Sequence, residues 1–456
     1  MARPAATRDM TQGSCAKHLL LFTLPLLVGS LLQQLYSLVD NWVVGNFISD
    51  AALGALGMSY PVMTMYTAFF IGMANGGTVI IAQFFGAGEK HRVRDVVDTL
   101  YTAFTVSILP MTALFVLMTK PLLLLMNADT VGLDDAVLYQ VIISAGIIGS
   151  LGYNINAAIL QGLGNSRTTL FFLGISSVLN IVLDLLFVLV FHWGVAGTAI
   201  ATVIAQLASW LAGLFYINRH YPELAIHPFN RRFDKELFRK IMGIGIPQGL
   251  QMVLVSIGVM LLYSDVNIYG PSFCSGYNIA VKVENLSFLP IQALGVATTT
   301  FAGQNMGAER LDRVKKSAWI SLLMGYVWTI AITSLAVHLR YEISAIFSQV
   351  PETIEASALY MRCVLTYHFL FTTMFCLNAV MRGAGESMVP MLISGFGNIV
   401  VRTVVVKLLN AHYGAELMYY GLTVGYLVSA LLAAAYILSG RWQRRGSLVK
   451  KTPQNT

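Results

Sequence analysis

Charge is what this sequence has least of: 11% of its 456 residues are Asp, Glu, Lys or Arg, against the roughly one quarter that a soluble domain uses to cover its surface. A hydrophobic content of 56% and a mean hydropathy of +0.68 go with that deficit, and together they exclude an ordinary water-soluble domain. Cysteine is scarce too. Cys15, Cys274, Cys363 and Cys376 form no CxxC pair and no Cys/His spacing, which argues against a metal site or a dithiol redox pair. Walker-type loops, HExxH and nucleophile motifs are missing, so neither an ATP-driven pump nor an intramembrane enzyme finds its machinery here, and no cofactor is expected.

Long apolar runs are what the chain does have. In hydrocarbon each backbone polar group must be satisfied within its own segment, and a helix needs ~20 residues to cross. Without strict alternation, these runs select helices over a barrel. Spans are expected near 18–44, 54–80, 97–119, 136–161, 168–191, 194–216, 241–263, 275–302, 317–338, 356–381, 388–409 and 417–438. The first continues without a small-residue cleavage site and reads as an uncleaved helix rather than a signal peptide.

A net charge of +7 raises the question of a nucleic-acid partner, and the placement of the cations decides it. Connections after even-numbered spans, together with the two tails, hold 23 Lys and Arg, whereas the opposite connections hold only Lys120, Arg340 and Lys407. This is the positive-inside asymmetry expected of a multi-pass inner-membrane protein with both termini in the cytoplasm. Basic charge here reports orientation and contact with anionic membrane lipids, not nucleic acid.

The chain also repeats itself. Gln83-Phe84-Phe85-Gly86-Ala87 follows the second span and Gln304-Asn305-Met306-Gly307-Ala308 the eighth, 221 residues on; Arg92-Val93 and Arg313-Val314 keep that offset, as do Gly162-Leu163-Gly164 and Gly383-Ala384-Gly385. Pro25 and Pro247 match one residue further apart. An even number of helices per half makes these parallel repeats, related by an axis along the membrane normal. The Gly-x-Gly pairs lack a preceding strand and a following Lys-Ser/Thr, so they read as turns and helix caps rather than phosphate cradles. The expected division is a tail at 1–17, an N-lobe at 18–217, a connector at 218–240, a C-lobe at 241–440 and a basic tail at 441–456.

A Pro-bearing first helix, the duplicated Gln-x-x-Gly-Ala loop and Arg382-Gly383-Ala384-Gly385 together resemble the multidrug and toxic compound extrusion (MATE) family over about 18–440. Val39-Asp40-Asn41-Trp42-Val43-Val44-Gly45 and Lys282-Val283-Glu284 are similar to its DinF-like and MepA-like bacterial branch. The resemblance implies an all-α membrane protein of twelve transmembrane helices in two pseudo-symmetric six-helix lobes around a central cavity. It further implies a secondary active antiporter that exports drug-like, often cationic compounds by alternating access, in exchange for protons or sodium. Two departures stand out. Gln161 replaces an Arg often found opposite Arg382, and the seventh and tenth spans lack the carboxylates of the NorM-like cation site, which favours protons over sodium. A monomer is expected. The competing reading is a lipid or lipid-linked oligosaccharide flippase of the same superfamily, which a strongly basic cavity would favour.

Ionisable groups inside a span cost ~2.5–3.5 kcal/mol each on insertion scales and are functional candidates by default. In the N-half these are Asp40 and Asp184. With ~1.5 Å of rise per residue, both come to similar depth in the outer half, where Asn180, one turn before Asp184, and Thr202 on the sixth span also arrive. Two carboxyls in a water-poor site do not both stay ionised, so one can bind and release a proton. The resemblance carries the cation-coupling role onto Asp40, with Asp184, Asn180 and Thr202 as its network. A water-facing Asp40 beside Asn41 and Asp50, and a structural hydrogen bond for Asp184, are the alternatives. Pro25 lacks a backbone donor and gives the first helix a bending point below Asp40, either a moving hinge or a static kink.

In the C-half, Lys282, Glu284 and Arg402 share a depth, and Arg402 takes the repeat position of Asp184, with Asn398 standing to it as Asn180 stands to Asp184. An unpaired charge there is costly, so an ion-pair network of Glu284 with Arg402 or Lys282 is expected; a substrate or coupling role is the alternative. Gln33, Gln34, Asn154 and Asn156 are candidates for a polar cavity wall, although small polar residues also hold helices together.

Overall fold

The computed structural model describes residues 7–125, 132–226 and 232–445. Parts of the expected N-terminal tail, connector and basic C-terminal tail, at 1–6, 227–231 and 446–456, lie outside the described residues. Every regular element among the described residues is helical. The first six spans are α1 (Cys15–Phe47), α2 (Asp50–Gly86), α3 (Lys90–Leu125), α4 in two pieces (Leu133–Ala145 and Ile147–Gly162), α5 (Ser166–Leu185 with a π-helical end, Leu186–Val190) and α6 (Gly194–His220). The second six are α7 (Lys235–Asn267), α8 (Pro271–Gly307), α9 (Leu311–His338), α10 (Pro351–Val364 and His368–Gly383 across a 3₁₀ turn), α11 (Met388–Gly395 and Arg402–Tyr413 across a π-helical Phe396–Val401) and α12 (Ala415–Met418 and Tyr420–Leu438). Eleven are long and apolar enough to cross a membrane, and the two pieces of α4, bent by 49°, make a twelfth. The twelve apolar runs of the sequence correspond one to one with these helices.

The helix ends follow from local chemistry. Ser49 caps α2 by accepting from the Ala52 N–H at 3.1 Å, and Asn165 caps α5 by accepting from Thr168 N–H at 3.1 Å, each satisfying an orphan donor of the first turn. Gly164 and Gly385, with φ of +81° and +89°, turn the chain out of α4 and α10, and their N–H groups return to the carbonyls of Gln161 and Arg382 at 2.9 and 2.8 Å. Both motifs therefore serve as helix caps.

Two compact units make up the chain. One comprises residues 7–9 and 24–249, the other 10–23 and 250–445. The division falls inside α1, after Thr23, and inside α7, after Gly249, close to Pro25 and Pro247, and not in the connector. In the first unit α2 meets the beginning of α7 through glycines: a Cβ on Gly72 would lie 2.4 Å from the Gly245 carbonyl oxygen, and one on Gly76 2.3 Å from that of Ile241. α4 follows α6 through Gly146 against Val203, Gly149 against Leu207 and Gly152 against Trp210. In the second unit Gly383 of α10 sits against Thr299 O of α8. Between lipid-facing helices there is no hydrophobic drive to associate, so close backbone approach over small residues supplies the packing.

Candidate functional site

The 3.6-residue period of α5 puts Asn180 and Asp184 on one face, and the π-helical turn that follows Asp184 widens the helix at that point, a distortion frequent at functional positions. α6 comes in over small residues: Thr198, Ala199, Ala201 and Thr202 are all buried, and Gly197 lies against Phe187 of the π turn. Asn180 Nδ2 consequently donates to Thr202 Oγ1 at 3.2 Å. α1 delivers Asp40 to the same place.

All four expected residues are buried, from Asp184 at 0% exposed to Asp40 at 9%. The carboxyl groups of Asp40 and Asp184 are neighbours. Neither oxygen of Asp184, nor Oδ1 of Asp40, nor Oδ1 of Asn180 accepts a hydrogen bond from any donor among the described residues. Tyr36, one turn before Asp40, and Tyr139 of α4 stand beside the acids. Asp40 is thus enclosed by protein rather than open to water beside Asn41. Chemically the site is a buried acidic pair, able to take a proton or a small cation. Among the described residues no cluster of three or more His, Cys, Asp or Glu forms a metal-binding group.

Pro25 lies within a helix that runs unbroken from Cys15 to Phe47. Of the cavity candidates, Gln33 and Gln34 are exposed on α1 and Asn154 is half-buried, its amide returning to the Ser150 carbonyl at 2.8 Å. Asn156 is 1% exposed, its Oδ1 accepts from the Tyr101 hydroxyl and its Nδ2 donates to Trp210 O at 2.9 Å, so its amide joins α3, α4 and α6.

The second lobe departs from expectation more sharply. Glu284 takes the Tyr360 hydroxyl on Oε2 at 2.5 Å and the Tyr426 hydroxyl on Oε1 at 3.4 Å, and pairs with His368 Nε2 at 3.6 Å. It forms no ion pair with Lys282 or Arg402. Lys282 is exposed, because residues two apart on a helix project to different sides. Arg402, 5% exposed, turns instead into a notch of α7 at Gly258, where a Cβ would stand 2.0 Å from Nη2, and that nitrogen has no hydrogen-bond partner. The network expected of Glu284, Lys282 and Arg402 is therefore a carboxylate held by two tyrosines and a histidine, with the two cations elsewhere.

Tyr36, Tyr139, Tyr360, Tyr426 and His368 escape sequence reasoning. His368 alone carried a signal, an ionisable group in the middle of the tenth apolar run. The tyrosines are dispersed among 20 in the chain and have no local pattern that marks these four.

A model of the family described as MatE matches the chain twice, at residues 25–186 and 247–407, one match per repeat. Probable multidrug resistance protein YpnP of Bacillus subtilis (strain 168) is 28% identical over 435 residues, covering 95% of this chain and 97% of the relative. YoeA, a probable multidrug resistance protein of the same strain, is 28% identical over 444 residues, covering 95% and 96%. Among solved structures, the outward-facing conformation of a multidrug resistance MATE family transporter of the MOP superfamily superposes with a TM-score of 0.88 at 20% identity, covering 98% of this chain and 99% of that one.

Proposed function

The chain belongs to the MatE family of membrane transporters, and from that premise we propose that this secondary active multidrug transporter exports drug-like, often cationic compounds in exchange for protons bound at Asp40 and Asp184. The observation that supports the coupling step is the buried pair of neighbouring carboxyls, with no donor to Asp184 among the described residues. Two such groups repel as anions in a water-poor site and attract when they share a proton, so the pair has two arrangements that differ by one proton. Asn180, tied to Thr202, sets the wall against which the pair closes.

A cycle follows from this. A proton entering from the outer side joins the carboxyls and draws α1 toward α5, with Pro25 as the place where α1 bends; substrate leaves. Loss of the proton to the cytoplasm restores the negative charge and with it affinity for a cationic compound. Substrate and proton compete for one acidic region, which is what exchange requires. Both termini are assigned to the cytoplasm on the charge asymmetry of the connections, the basic connections to anionic lipid headgroups, and the working unit to a monomer. The acidic character of the N-lobe site favours export of cations over a flippase for anionic lipid-linked sugars.

Dye uptake into everted vesicles, where the export direction runs into the lumen, with proton and sodium gradients imposed separately, tests the reading. A proton gradient alone is expected to drive efflux, and Asp40→Asn is expected to abolish gradient-driven efflux at unchanged membrane expression. Efflux by Asp40→Asn at the parent rate, or efflux driven by sodium alone, would end the proton assignment.

A further inference from the structure

Nine residues beyond the Gln of each Gln-x-x-Gly-Ala loop stands an arginine, Arg92 in the first half and Arg313 in the second. Arg313 is 8% exposed and fully engaged. Its Nε donates to Asn305 Oδ1 at 2.9 Å, Nη1 to Gly13 O at 2.8 Å, and Nη2 to Met10 O at 2.9 Å and Gln12 O at 3.3 Å, with the guanidinium 5.5 Å from the Phe301 ring. Gln304 and Asn305 add to this: Met10 N–H donates to Gln304 Oε1 at 2.9 Å, and Asn305 Nδ2 donates to Met10 O at 3.2 Å. Met10, Gln304 and Asn305 are all at 0% exposure. Gly13, at φ +77°, supplies a left-handed turn in the segment whose Met10, Gln12 and Gly13 carbonyl groups meet one guanidinium, a task for its planar fork of donors.

The residues so held, 10–13, lead directly into α1. They cluster with residues 250–445, as does α1 up to Thr23, whereas α1 from Leu24 onward clusters with residues 24–249. Pro25 lies two residues past the change, and Asp40 beyond it. The counterpart in the first half is looser. Arg92 is about one-third exposed and makes two long ionic contacts, to Asp95 at 3.4 Å and to Asp234 at 3.7 Å just ahead of α7, with its guanidinium 5.5 Å from the Phe84 ring.

We propose that Arg313 is a positioning residue for transport: by fastening residues 10–13 to α8 and α9 it fixes one end of α1, so that movement of the Asp40 end is confined to a bend at Pro25. α1 is anchored through a buried arginine, whereas the residues ahead of α7 are held mainly by two threonine hydroxyls of α3, Thr102 Oγ1 donating to Arg232 O at 3.1 Å and Thr99 Oγ1 accepting from Asp234 N–H at 3.2 Å. The anchor stays closed through the whole cycle, unlike a latch, which must open once per turnover. The proposal rests on the reading of Asp40 as the proton site, in that it is the Asp40-bearing segment that has to move.

A disulfide in place of the guanidinium separates these possibilities. In a chain whose four native cysteines are replaced, Met10→Cys with Gln304→Cys is oxidised in vesicles and dye export is measured. Oxidised protein that retains Arg313 is expected to export within twofold of the parent rate. Arg313→Ala is expected to lose at least tenfold in export rate while equilibrium dye binding by the purified protein stays within twofold. Oxidation of the cysteine pair in that background is expected to restore export, and dithiothreitol to remove it again. Arg313→Lys, a single donor group, is expected to fall between, and Arg92→Ala to lose less than threefold. Arrest of export on oxidation with Arg313 present would convert the anchor into a latch and overturn the proposal; full export by Arg313→Ala would overturn it as well. Should Arg313→Ala fail to fold, the oxidation result with Arg313 present decides alone. Failure of the proton reading has a separate signature, efflux by Asp40→Asn at the parent rate.

Discussion

At the scale of single residues, the N-lobe acids are short of hydrogen-bond donors among the described residues. Asn180 has one described bond, to Thr202, while its Oδ1 and the oxygens of Asp184 are left open. Removing that one bond costs about 0.5–1.5 kcal/mol, so Asn180→Ala is expected to slow proton-driven efflux by roughly two- to tenfold without abolishing it, in vesicles energised by a pH gradient. Asp184→Asn keeps the shape but removes the second acid, and is expected to flatten the dependence of efflux rate on external pH; an unchanged pH profile would show that Asp40 titrates without it. Asp40 and Asp184 were legible in the sequence because charge is so rare in the spans that each instance stands out, and Asn180 and Thr202 because helical rise brings them to the same depth. The partners of Glu284 were not, since a tyrosine in a membrane helix is as much at home against lipid or core as against a carboxylate.

At the scale of elements, small residues set how closely helices approach. A methyl on Gly76 would meet the backbone oxygen of Ile241, which cannot move aside as a side-chain tip would, whereas a methyl on Gly174 of α5 meets nothing within 4 Å. Overpacking of this kind typically costs about 1–3 kcal/mol, while Gly→Ala in an unhindered helix gains roughly 0.5–1 kcal/mol. Gly76→Ala is therefore expected to lower the melting temperature of the purified protein and Gly174→Ala to leave it level or raise it, as followed by intrinsic fluorescence on heating. The spans themselves could be read from apolar length. The 49° bend of α4 at Gly146, the π turns in α5 and α11 and the notch that admits Arg402 could not, because each is settled by the neighbour that packs there.

At the scale of the whole molecule, the duplicated loop and the two family matches define two halves, yet each compact unit borrows the start of a helix from the other half's sequence, at Thr23 and at Gly249. Orientation is testable directly. With native cysteines replaced, Gln349→Cys between α9 and α10 is expected to react with an impermeant maleimide in intact cells, and Lys90→Cys between α2 and α3 only after permeabilisation; both side chains are exposed. The reverse pattern would invert the assigned topology and the direction of proton flow with it.

Composition alone determined that this chain lives in lipid, and apolar length and the 221-residue repeat determined twelve helices in two halves, because the solvent imposes those features on any sequence that crosses it. Rarity of charge likewise singled out Asp40 and Asp184. Which groups those acids and Glu284 meet, where Arg402 goes instead of pairing, and that residues 10–13 are fastened beneath Arg313 were decided only by tertiary packing. Such contacts join residues as much as 303 positions apart, and no local periodicity records them.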